Sequence, residues 1–165
     1  MAITLCGFIF IDYFWDYTSK MTELADILKA DNYKKIKFQI TKTNHLVIKA
    51  TINDVAGNFI LDTGASSSCV DFDQVVFFNL KAKHSKTKAA GAGAIDMVTK
   101  TAHRNTLKVG HWKYNDFSLV IFDLSHVNMA LEQHKAKPVQ GIIGADVLIE
   151  GKAIIDYDTK FLYLR

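Results

Sequence analysis

One acidic residue occupies a position from which its carboxylate could react. Asp62 directly follows the apolar residues 59–61, which the pattern predicts as a strand, and it is followed by Thr63 and Gly64. Glycine permits a tight turn, which would direct the carboxylate out of the strand end. An unpaired buried carboxylate is costly, so Asp62 is not expected to fill a core. The tripeptide alone leaves two interpretations open, a reactive acid and a turn residue that accepts backbone N–H bonds.

A second motif lies 82 residues further along, because Ile142 and Ile143 are followed by Gly144 (144 − 62 = 82). Together the two motifs resemble those of the retropepsin-like aspartic proteases, the single-domain relatives of the retroviral proteases. Residues 46–65 resemble the strand, turn and strand that lead into the catalytic acid of that family. The resemblance extends over roughly residues 37–165, and its last part is similar to bacterial chromosomal members.

The resemblance implies a role for each motif and a mainly β fold, a closed barrel or sandwich with a glycine-containing flap hairpin and one to three short helices. Asp62 would be the catalytic residue. The other implied site residues are Thr63, Gly64 and Ala65 in the catalytic loop, Ile142, Ile143 and Gly144 in the ψ-shaped loop, and Gly91, Ala92 and Gly93 in the flap. The segment 123–137 is an insertion that the viral enzymes lack.

The chemistry of this family needs two carboxylates that share one proton, and the chain has one Asp-Thr-Gly. Neither Asp156 nor Asp158 is followed by Thr-Gly. Two-fold association would bring together the Asp62 residues of two chains. We therefore expect a homodimeric aspartic endopeptidase that acts on a peptide or protein. The alternatives are a catalytically silent dimeric module that binds a peptide or protein, and a monomeric barrel that binds a small ligand.

Composition argues against several other classes. The net charge of +3 gives no strong basic bias, so no nucleic-acid partner is expected. The six histidines show no His-Glu-x-x-His spacing, and we predict neither a metal nor a cofactor. Two cysteines are too few for a disulfide framework, and Cys69 is expected to be a small buried residue.

Hydrophobic periodicity supplies the elements that would position these residues. It predicts helices at residues 21–31, 72–79 (with Asp71 as its cap) and 125–134. It predicts strands at residues 46–53, 59–61, 95–101, 105–109, 117–122, 153–157 and 161–164. The terminal strand alternates in a way that suits a sheet edge, and we expect it to contribute to the dimer interface. Many short strands and few helices indicate a mainly β barrel or sandwich.

We divide the chain into an apolar segment (1–20), a helix with a lead-in (21–36) and the protease-like domain (37–165). Three interpretations of the apolar segment remain open: an additional strand, a membrane-associating segment, and residues that precede a true start at Met21. Membrane association is left open for residues 1–15 alone. These residues lack the basic start and cleavage site of a signal peptide, so a cytoplasmic location is expected.

Overall fold

The computed structural model describes residues 24–85, 89–91 and 94–165. The predictions for residues 1–20, for Met21, and for the flap residues Ala92 and Gly93 lie outside these ranges. Within them, the helices are α1 (Leu24–Ala30), α2 (Gln74–Phe77), α3 (Ser125–Gln133) and α4 (Ala145–Glu150). The strands are β1 (Lys34–Lys37), β2 (Gln39–Ile40), β3 (Leu46–Ile52), β4 (Val55–Leu61), β5 (Cys69–Val70), β6 (Ala82–His84), β7 (Ala89–Gly91), β8 (Ala94–Met97), β9 (Lys100–Val109), β10 (Trp112–Ile121), β11 (Gly141–Ile143), β12 (Ile154–Asp156) and β13 (Phe161–Leu164).

A closed barrel forms the centre of the fold. Its strands follow the order β3-β4-β11-β5-β10-β9, and a pairing between β3 and β9 closes the ring, while β2 and β6 extend it. Strands β7 and β8 form a separate antiparallel pair. This arrangement confirms the mainly β class and the barrel expected from the sequence.

The hairpin of β3 and β4 is encoded locally. Alternate residues of β3 are buried, as its period-two pattern predicts. Asn53 and Asp54 connect the strands with φ angles of 47° and 67°. Positive φ at both central residues defines a turn whose twist matches that of the flanking strands, and Asn and Asp tolerate this conformation. The last three residues of β4 are all buried, and the strand leads directly into the loop that begins at Asp62.

The C-terminal strand β13 lies in the middle of a sheet with the order β1-β13-β12. Lys34 of β1 pairs with Leu164, and Ile154 of β12 pairs with Tyr163. The expectation of an edge strand at residues 161–165 is therefore wrong, because both edges of β13 are already hydrogen-bonded within the chain. Among the described residues, the edges of this sheet without a further strand belong to β1 and β12. Residues 34–36 of the predicted lead-in therefore take part in the folded sheet.

The helices differ from their predictions in detail. The structure shortens the segment 72–79 to the single turn α2 and does not use Asp71 as its cap. Instead, the Asp71 carboxylate accepts hydrogen bonds from the backbone N–H groups of Asp73 (2.9 Å) and Leu124 (2.7 Å). Helix α4 was not predicted. No helix in the described residues is long and apolar enough to cross a membrane.

Helix α3 lies within the insertion and covers the outside of the barrel. Its Leu131 is buried in a small apolar cluster with Ile60 of β4 and Val139, against which Ile142 of β11 also packs. The insertion thus shields the outer faces of two barrel strands, β11 and β4, the second of which leads into the Asp62 loop.

Candidate active site

The Asp62 loop begins where β4 ends. The backbone N–H of Asp62 donates to the carbonyl oxygen of Ile143 (2.9 Å), which extends the parallel pairing of β4 with β11 by one residue. The N–H of Gly64 donates to Asp62 Oδ1 at 2.8 Å. Among the described residues, none donates to Asp62 Oδ2. The loop therefore fixes one carboxylate oxygen and leaves the other available for reaction.

Strand β11 holds this loop from behind. It lies between β4 and β5, the strands on either side of the loop, and it is parallel to β4 and antiparallel to β5. At Gly144, which follows β11, an added Cβ would lie 2.7 Å from the carbonyl oxygen of Ala65 and 2.8 Å from the carbonyl carbon of Ser67. Ala145 N–H donates to the same Ala65 oxygen at 2.7 Å. Close backbone contact thus explains why glycine follows the apolar pair.

A second carboxylate, which the sequence reasoning missed, lies beside the end of the loop. Asp146 Oδ2 accepts a hydrogen bond from Ser68 N–H (2.9 Å), and its Oδ1 accepts one from the Ser68 hydroxyl (2.7 Å). Ser68 is 2% exposed. The contact spans 78 residues of chain, so no local pattern indicated it; an acid two residues after Gly144 was the one available signal.

Cys69 is buried directly after this contact, as predicted. Burial is the main cause that raises the pKa of its thiol to about 12. A backbone hydrogen bond from Ile142 opposes this rise, and the negative charges of Asp146, Asp62 and Asp71 add to it. A thiol with such a pKa stays protonated at neutral pH and is a poor nucleophile.

The tip of the loop is exposed in the single chain, since Thr63 and Gly64 both face solvent. Next to Thr63 lies a cavity of about 340 Å³. Its other lining residues come from α4, from the segment that leads into β12 and from β12 itself, namely Ala145, Leu148, Ile149, Lys152, Ala153 and Ile155. Ile149 is 76% exposed, which is unusual for a large apolar side chain at the rim of a cavity.

The predicted flap coincides in part with a hairpin. Gly91 at the end of β7 pairs with Ala94 at the start of β8. The flap function of Gly91, Ala92 and Gly93 stays a prediction. Among the described residues, no group of three or more His, Cys, Asp or Glu side chains is arranged to hold a metal ion.

Comparison with known proteins identifies the family. The sequence model of the aspartyl protease family matches residues 48–147, more than half of the chain, and this match includes both motifs. The chain therefore belongs to the aspartyl protease family, and its fold is that of the retropepsin-like members. A comparison with curated protein sequences finds no match.

Solved structures support the same fold. A retropepsin-like aspartic protease from Rickettsia conorii has a TM-score of 0.55 and 18% identity, over 80% of this chain and 90% of that one. EIAV protease, complexed with the inhibitor HBY-793, has a TM-score of 0.53 and 20% identity, over 72% and 98%. The retroviral protease-like domain of Ddi1 from Leishmania major has a TM-score of 0.51 and 17% identity, over 76% and 90%.

Proposed function

We propose that this protein is an aspartic endopeptidase that works as a homodimer, in which each subunit supplies one Asp62. The observation that carries this proposal is the local geometry of that residue. Asp62 directly follows a barrel strand, one of its oxygens is fixed by the N–H of Gly64, and the other has no donor among the described residues. A carboxylate held this way is oriented in advance and can still exchange a proton.

The reaction needs two such carboxylates close together. Like charges at short distance keep one of the two protonated, so the pair holds a single proton. The ionised carboxylate accepts a proton from water as the water oxygen attacks the peptide carbonyl carbon. The protonated one donates to the carbonyl oxygen. In the second step one carboxyl donates its proton to the amide nitrogen while the other carboxylate accepts a proton from a hydroxyl of the tetrahedral gem-diol. The C–N bond breaks, the amine and the carboxylic acid leave, and the pair again holds one proton.

The second carboxylate would come from a second copy of this chain. We place the contact at the face formed by the exposed loop tip, the neighbouring cavity and the free edge of β12. This face carries the exposed Thr63 and Ile149, and it adjoins the residue that needs a partner. Covering it with a second copy would bury apolar surface and bring the two Asp62 loops together.

Substitution of the acid tests the function directly. Asp62→Asn retains the size of the side chain but removes the shared proton, and we expect peptidase activity to fall by at least about 10³-fold with folding unchanged. Asp158→Asn is the matched control, because Asp158 is likewise an aspartate followed by threonine but lies exposed in the turn before β13. Cleavage of a mixed peptide library, followed by mass spectrometry, is the assay, and circular dichroism checks the fold.

Two outcomes would contradict the proposal. Turnover of Asp62→Asn at the wild-type rate would exclude the aspartic mechanism. A wild-type dimer that binds library peptides without cleaving them would favour the silent binding module instead.

A further inference from the structure

Asp146 accepts every hydrogen bond that Ser68 donates. Its Oδ2 takes the Ser68 backbone N–H and its Oδ1 takes the Ser68 hydroxyl proton, together with the N–H of Val147 (2.8 Å). The hydroxyl oxygen of Ser68 in turn accepts a hydrogen bond from the N–H of Gly144 at 2.9 Å. Since Ser68 is buried, its N–H and hydroxyl groups cannot bond to water instead.

Only a carboxylate satisfies this pattern. Two donors from the same residue approach two different oxygens, and an ionised carboxylate is an acceptor at both. An asparagine amide at position 146 would offer one acceptor oxygen, and its NH₂ group would meet a donor or compete for the hydroxyl of Ser68. Hydrogen bonds to a charged acceptor are also stronger than those between neutral groups.

These bonds attach the far end of the loop that carries Asp62. The loop is connected to residues 143–146 at three points: Asp62 N–H to Ile143, Ala145 N–H to the carbonyl oxygen of Ala65, and Ser68 to Asp146. The first two contacts use backbone atoms alone, so any residue type can make them. The third depends on side chains.

We propose that Asp146, acting through Ser68, is a positioning residue for the peptidase reaction. It touches neither the substrate nor the reacting atoms; it sets the path of the loop between β4 and β5 and thereby the direction of the Asp62 carboxylate. This inference rests on the proposed peptidase function. Displacements of about 1 Å in a catalytic group can cost about 100-fold in rate, so even a small relaxation of the loop has a measurable effect.

Kinetics of four variants test the inference. The enzyme is assayed as the full-length dimer, at concentrations where light scattering shows a single dimeric species. We expect Asp146→Ala to lower kcat about 100-fold and to change KM less than about threefold. Asp146→Asn keeps one acceptor oxygen, and its kcat should lie between that of the wild type and that of Asp146→Ala. Ser68→Ala keeps the hydrogen bond from its backbone N–H to Asp146, and its kcat should fall about tenfold.

Asp71→Ala is the matched control, because Asp71 stands at the opposite end of β5 and its carboxylate also accepts two backbone N–H groups. It should lower the melting temperature by an amount similar to that in the Asp146 variants and keep kcat within about twofold of the wild type.

The pH profile of kcat should keep its shape in the Asp146 variants, since a positioning residue moves no proton in the reaction. Loss of one limb of the profile would instead mean that Asp146 itself exchanges a proton.

The outcomes separate this inference from the function on which it rests. Folded dimers of Asp146→Ala and Ser68→Ala with the kcat of the wild type would overturn the positioning role and leave the peptidase intact. Wild-type protein without any cleavage that depends on Asp62 would overturn both. If the alanine variants fail to fold, Asp146→Asn provides the same comparison against Asp71→Ala.

Discussion

Ile149 allows the proposed dimer face to be tested by a single truncation. Its side chain is 76% exposed in the isolated subunit and borders the cavity beside Thr63. Because so little of it is buried within its own chain, Ile149→Ala should hardly change the stability of one subunit. A change in dimerisation would then report on the interface itself.

The structure sets the size of the expected effect. The substitution removes three carbon groups, worth about 0.8 kcal/mol each when fully buried, or about 2.4 kcal/mol. If the dimer covers the 76% that is exposed, the loss is about 1.8 kcal/mol per subunit and about 3.6 kcal/mol for the symmetric pair. At about 1.4 kcal/mol per factor of ten, the dimer Kd should rise about 400-fold. If the dimer covers only half of that area, its Kd should rise about 20-fold.

Sedimentation velocity over a concentration series measures this Kd, and peptidase activity is followed over the same series. Activity of Ile149→Ala should be lost at low concentration and return to the wild-type value once the dimer forms, because Ile149 is not a catalytic residue. Val76→Ala is the control, because Val76 is 85% exposed on α2 and does not line the cavity beside Thr63. A Kd for Ile149→Ala within twofold of the wild type, or an equal weakening by Val76→Ala, would refute the proposed face.

Two further predictions concern the described residues. Gly144→Ala should lower the free energy of unfolding by about 1–3 kcal/mol, because its Cβ would contact the backbone of the Asp62 loop. In Gly151→Ala the closest contact of the new Cβ is a Leu164 side-chain atom, so the free energy of unfolding should fall by less. Urea unfolding measures both values, and an equal loss in the two variants would contradict the close-contact argument. In a Cys6→Ser background, Cys69 should resist iodoacetamide at pH 8 until the protein is unfolded, since its pKa of about 12 keeps it protonated. The stabilisation that accompanies this raised pKa should be complete below about pH 9 and fall as the pH rises towards 12. Rapid alkylation of the native protein would show that the thiol is accessible.

Local signals account for the parts of the fold that were predicted correctly. The alternation of residues 46–52 and the Asn53-Asp54 turn together specify the hairpin of β3 and β4, and no distant contact is needed to interpret them. The two motifs around Asp62 and Gly144 carried the family resemblance in the same way, because each is short and contiguous.

Long-range contacts account for what was missed. Strand β1 contains a single buried residue, Ile36, so its pattern is too short to indicate a strand, and its pairing with β13 joins opposite ends of the chain. Helix α4 spans only six residues and is held by tertiary contacts such as that of Asp146 with Ser68. Short helices are marginal without such packing, which explains why local propensity did not reveal α4.

The position of β11 between β4 and β5 also determines when the site can form during synthesis. Phe59 at the base of the Asp62 loop pairs with Gly141, 82 residues later (141 − 59 = 82). The ribosome therefore produces Asp62 long before it produces the strand that supports its loop, and pairings over such separations form slowly. A nascent or prematurely terminated chain that stops before β11 carries Asp62 on an unsupported loop. The proposed site is thus incomplete in any chain whose synthesis has not yet passed β11.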